Sequence, residues 1–127
     1  MGLLDKLRRS STGSDPVVVL DLDTRRQQLQ TLEKSLDALT RLIRGRDDLM
    51  ANPGWRARTA EYDLVAGEAM QLAKGTPTRE AILDLAFEVR PAFKGDVPAG
   101  MEDINTAQQQ AMDAANALAD LLPGERR

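Results

Sequence analysis

LDTRRQQLQTLEKSLDALTRLIRGRDDLM, residues 22–50, places Leu22, Leu29, Leu36, Ile43 and Met50 at every seventh position, with Leu32 and Leu39 in the intermediate row. A seven-residue apolar repeat is the mark of a helix that packs lengthwise against others at a shallow crossing angle. Arg25 and Arg46 occupy the two places where the intermediate row is interrupted. At the other end of the chain, Met101, Ile104, Gln108, Ala111, Ala115, Leu118 and Leu122 step by three and four. Alanines on that seam and its flanks let the backbone approach a neighbour closely. These two periodic stretches point to an all-α protein.

Working outward, the punctuation divides the chain. Asp15-Pro16, Asn52-Pro53 and Thr76-Pro77 each set a capping side chain before a proline, and Asp96-Val97-Pro98 is a looser version. Proline at the first helical position loses no hydrogen bond, and the preceding oxygen can accept from a free N–H of the first turn. Gly75, Gly95 and Gly124 lie where helices should stop. The expected helices cover about 16–50, 53–74, 77–90 and 98–122, with Gly45 a point of bending. The expected architecture is a four-helix bundle: a long first helix in an antiparallel hairpin with the second, a short third and a long fourth. Residues 1–15 read as a flexible N-terminal segment with a short amphipathic stretch, and 16–127 as the bundle domain.

Composition narrows the chemistry. The 127 residues contain no Cys and no His. Thiolate sites, disulfides, Ser-His-Asp arrangements and Glu-x-x-His di-iron sites are therefore excluded. A net charge of −3 and four aromatic residues argue against a nucleic-acid partner, which requires a basic face or stacking platforms. No apolar run reaches the roughly 18–20 residues that span a bilayer, and Met1–Ser10 lacks the continuous apolar stretch of a signal peptide. The expected location is cytoplasmic.

Three sets of residues stand out as sites for association. Leu3, Leu4 and Leu7 share one helical face, apart from Lys6, Arg8 and Arg9, and such a segment can dock in a partner's groove or lie weakly on a membrane surface. At the tip of the first hairpin, Arg44 and Arg46 approach the turn and Trp55, Arg56 and Arg58 leave it. Cations suit a helix C-terminus, but Arg56 and Arg58 sit in the first turns of a helix, where positive charge is unfavourable; an anionic partner surface would supply the counter-charge. Val17, Val18 and Leu22 form the third set. A first helix of 35 residues would be ~52 Å long and would overhang its neighbours by ~15–20 Å. A second copy could cover that apolar overhang about a two-fold axis.

The expected function is accordingly a non-enzymatic interaction or adaptor protein, without cofactor or metal, that self-associates as a homodimer and docks on a partner protein. A ligand-binding bundle with a pocket near Tyr62, Met70 and Phe87 is the first alternative. A carboxylate-dependent metal enzyme is the second. Glu80, Asp84 and Glu88 align at i, i+4 and i+8, but no two acidic residues in the chain stand three apart. The Glu-x-x-Glu pairs with which all-α nucleotide pyrophosphohydrolases hold Mg²⁺ are thus missing.

Overall fold

A computed structural model describes residues 20–125. Of these, 73% are helical, in five α-helices and without a strand. In chain order they are α1 (Leu22–Arg44), α2 (Asp47–Met50), α3 (Pro53–Lys74), α4 (Arg79–Glu88) and α5 (Glu102–Ala119).

The first helix is shorter than expected at both ends. Asp21 holds a non-helical ψ of 86°, and its carboxylate accepts the Thr24 N–H (3.1 Å) and hydroxyl (2.9 Å), fixing the start at Leu22. Gly45 closes α1, and an extended Arg46 (φ −109°, ψ 103°) precedes the single turn of α2. The glycine therefore ends the helix instead of bending it. At 23 and 22 residues, α1 and α3 have matching lengths of about 33–35 Å. The overhang drawn from a 16–50 helix is absent among the described residues. Leu20 and Leu22 instead border a notch with Thr76, Pro77 and Thr78.

Asn52 caps α3 as expected, its side-chain oxygen accepting the Gly54 N–H at 2.8 Å and the Trp55 N–H at 3.4 Å. The start of α4 falls two residues later than Thr76-Pro77 suggested. Thr78 supplies the cap, its hydroxyl accepting from the Ala81 N–H at 3.1 Å. Pro91 disfavours helix at the residue before it, and α4 ends at Glu88. The following segment, 89–101, lies across the ends of α3 and α5. Tyr62 donates its hydroxyl to the Arg90 carbonyl (2.6 Å), and Gln108 accepts the Ala92 N–H (2.8 Å). Phe93 meets Trp55 edge-to-face at 5.7 Å. Gly100, at φ +90°, turns this segment into α5, which begins at Glu102 and not at 98.

The heptad stripe becomes the core. Leu29, Leu32, Leu36, Leu39 and Ile43 are fully buried where α1 packs on α3 and α5, each burial contributing roughly 1.5–3 kcal/mol. Ala107, Ala111, Ala114 and Ala115 form the α5 side of that contact region. The α1–α3 pair runs antiparallel: Arg44 pairs with Asp63 at one end, and Arg26 donates to the Gly75 carbonyl (2.9 Å) at the other. The short α4 packs on α5 and, less extensively, on α3.

Arg25, on the same stripe, has no exposed side-chain surface. Its guanidinium donates to Glu125 through Nε (2.9 Å) and Nη2 (2.5 Å), to the Gln28 side chain (2.9 Å), and to the carbonyls of Leu118 (3.0 Å) and Asp120 (2.6 Å). Arg79 of α4 reaches the same helix end, donating to the Ala119 carbonyl at 2.9 Å. No basic residue lies in the last turn of α5; α1 and α4 supply its C-terminal cations across the fold. Glu125 is delivered by Leu122-Pro123-Gly124-Glu125. Proline in second place, Gly124 at φ +88° and a 3.0 Å bond from the Glu125 N–H to the Leu122 carbonyl fit a type II turn.

Candidate functional site

The tip arginines all find partners within the chain. Arg44 pairs with Asp63, with a second contact at 3.4 Å. Arg46 pairs with Asp48 (3.2 Å), holding that carboxyl below its usual range, and donates to the Gly100 carbonyl (3.0 Å). Arg56 donates to the Met50 carbonyl at 2.8 Å. It thereby serves as a C-terminal cation for α2 while standing in the first turn of α3, which explains its position. Arg58 pairs with Glu61 one turn on, at 2.8 Å. Trp55 is half-buried against Phe93. The five tip residues therefore share one end of the molecule, each with a local structural role. Leu3, Leu4, Leu7, Val17 and Val18 lie outside the described residues, and Leu22 is half-buried.

A more distinctive surface lies where α3 and α4 meet loosely. Between them runs an open groove of about 650 Å³, lined from α3 by Asp63, Leu64, Gly67, Glu68, Met70, Gln71 and Leu72, and from α4 by Ala81, Asp84, Leu85 and Glu88. Its shape follows from the sequence. Gly67 has nothing within 4 Å of where a Cβ would sit, so α3 presents bare backbone there. Ala81 keeps the facing wall of α4 low. Leu64 is 71% exposed, an unusual placement for a large aliphatic side chain on a helix with a well-formed buried face.

The groove's electrostatics are one-sided. Glu68, Asp84 and Glu88 form no ion pair with any cation among the described residues. Hydrogen bonding to the Glu68 carboxyl, then burial, then the negative charge of Glu68 and Asp84 push Glu88 up to about 7. Glu68 and Glu88 face one another across the helix–helix seam, and among the described residues no cation lies between them to favour the ionised form of both. Asp63, at the far end, is occupied by Arg44.

The acidic stripe expected on α4 is thus present in part at this rim. No group of three or more potential ligands is arranged to hold a metal ion among the described residues. The residues of the ligand-pocket alternative separate: Tyr62 is buried with its hydroxyl on Arg90, Met70 borders the groove, and Phe87 is 74% exposed. Sequence reasoning singled out Glu80, Asp84 and Glu88 but missed Glu68 and Leu64, whose significance arises only when α4 is laid beside α3. The unpaired Gly67 between Leu64 and Glu68 was the one local signal. No described helix is long and apolar enough to cross a membrane. No protein-family model, curated protein or solved structure matches this chain.

Proposed function

We propose that the chain is a non-enzymatic interaction protein, a four-helix bundle that docks a basic amphipathic helix of a partner protein along the α3–α4 groove. The observation that carries this is the combination at one seam of an apolar floor, an exposed Leu64 and three carboxylates with no ion pair among the described residues. A helix laid in such a groove presents apolar anchors at i, i+3 or i+4 and i+7, and lysines or arginines beside them would meet the acidic rim. Desolvated apolar contact supplies affinity, and the rim charges orient the helix and speed its encounter.

Fluorescence polarisation of a labelled Leu/Lys helical peptide tests the reading. Binding should weaken at least tenfold in Glu68→Lys, Glu88→Lys and should be unaffected by Arg56→Ala at the tip. Equal binding to the wild type and the double lysine variant would refute it. Self-association as a homodimer remains part of the proposal, resting on the apolar run Val17-Val18-Val19 now that α1 and α3 match in length.

A further inference from the structure

We propose that the groove between α3 and α4 is occupied in the free protein by the chain's own segment Leu3–Arg9, which a partner's helix must displace; the assignment rests on the groove's being a helix-docking site. The segment has the chemistry that the groove lacks. Leu3, Leu4 and Leu7 fall on one helical face, and Lys6, Arg8 and Arg9 provide three cations within four residues. The groove offers the complement, with Leu64, Leu72 and Leu85 beside Glu68, Asp84 and Glu88.

Lengths and tether agree. A seven-residue helix would extend about 10 Å, and the α4 wall from Ala81 to Glu88 runs about 12 Å. The described chain begins at Leu20, which borders the α3–α4 turn through Thr76, Pro77 and Thr78. The groove opens one turn beyond, at Leu72 and Ala81. Residues 10–19 can span at most ~33 Å, enough to carry the segment round the end of α3. Their first half, Ser-Ser-Thr-Gly-Ser, has a linker composition.

Weak intrinsic affinity is sufficient. A short tether creates an effective concentration of millimolar order, so a segment that binds at ~0.1 mM as a free peptide fills the groove about nine-tenths of the time. A competing helix then binds about tenfold more weakly than to an empty groove.

The chain's lack of cysteine allows a clean test. A spin label on Ser10→Cys in the full-length protein should broaden the amide resonances of Gly67, Gln71, Ala81 and Asp84. The broadening should disappear in Leu4→Glu, Leu7→Glu, whose affinity for an added Leu/Lys helical peptide should rise about tenfold. Both substitutions lie outside the described fold, and the buried core offers an internal control: the Leu36 and Ala111 amides should keep their shifts. Broadening that is uniform, absent, or seen only when labelled and unlabelled chains are mixed would overturn docking in cis. If the added peptide still perturbs the groove amides of Leu4→Glu, Leu7→Glu, only the self-docking fails. If it perturbs none of them, the groove itself is not a docking site.

Discussion

Replacing Glu125 by glutamine removes one charge from the best-buried ion pair among the described residues while preserving its size. Arg25 and Glu125 retain 0% and 2% of their side-chain exposure, and two further donors, the backbone N–H groups of Asp21 (3.1 Å) and Leu122 (3.0 Å), converge on the carboxylate. The guanidinium hydrogen bonds, reinforced by those backbone donors, pull Glu125 from an ordinary 4.5 down to about 2. At ~1.4 kcal/mol per pKa unit, ionised Glu125 contributes about 3 kcal/mol. Because the folded pKa is the lower one, this contribution is full above about pH 5 and fades as the pH falls toward 2. A domain of this size is stable by about 5–15 kcal/mol, so the loss is large. With a urea slope of ~1.5 kcal/mol/M, Glu125→Gln should lower the unfolding midpoint by about 2 M at pH 7. The two curves should converge as the pH approaches 2. Arg25→Met should cost about 3–5 kcal/mol, because it strands the carboxylate and the Leu118 and Asp120 carbonyls. The double variant should be less destabilised than the sum of the two. Equal midpoints for the wild type and Glu125→Gln at pH 7, or a difference that persists undiminished at low pH, would refute this account of the clasp.

Leu36→Asp should leave no cooperative thermal transition, since it places an unpaired charge at a fully buried position of the heptad stripe; a melting temperature near the wild type would contradict the core assignment. Asn52→Ala should lower stability by about 1 kcal/mol through the lost cap of α3, read by urea unfolding, and an unchanged midpoint would deny the cap that weight. Sedimentation of the wild type beside Val18→Glu, Leu22→Glu should show a dimer in the first alone; a wild type that stays monomeric at tens of micromolar would end the proposal of self-association. Binding of a cationic helix should tighten between about pH 6 and about pH 8. Over that range Glu88, pushed up to about 7 by the Glu68 carboxyl, by burial and by the negative charge of Asp84, loses its proton and adds a charge to the rim; the other charged groups around it are Asp63, Glu61 and Arg90 near the groove ends. A flat profile in isothermal calorimetry would separate Glu88 from the docking surface.

The heptad positions Leu29, Leu36 and Ile43 were legible because a seven-residue period is a direct image of a packed helix face, and all three are fully buried. Asn52-Pro53 and Gly75 were legible for the same local reason: a cap acts within one turn. The start of α4 was not, because Thr76 and Thr78 both offer a hydroxyl, and only the placement of Pro77 in the interior decides between them. Gly45 read as a bend, since the extended Arg46 that follows depends on partners at Asp48 and Gly100, the latter 54 residues away. Arg25 read as a break in an apolar row. Its partner stands 100 residues on, behind a turn whose Leu-Pro-Gly-Glu pattern could have been recognised but not aimed. The groove has the same origin. Leu64 and Glu68 are unremarkable where they stand in the sequence, and they join Gly67 and Glu88 as a site only through the loose α3–α4 seam.

The most direct test of the docking surface is an amide chemical-shift map of the isotope-labelled full-length protein titrated with a Leu/Lys amphipathic helical peptide. The expected result is a saturable set of shifts confined to Leu64–Leu72 and Ala81–Glu88, with the tip residues Arg44, Arg46, Trp55, Arg56 and Arg58 unmoved. Shifts centred on the tip instead, or none at all at saturating peptide, would contradict the assignment of the groove.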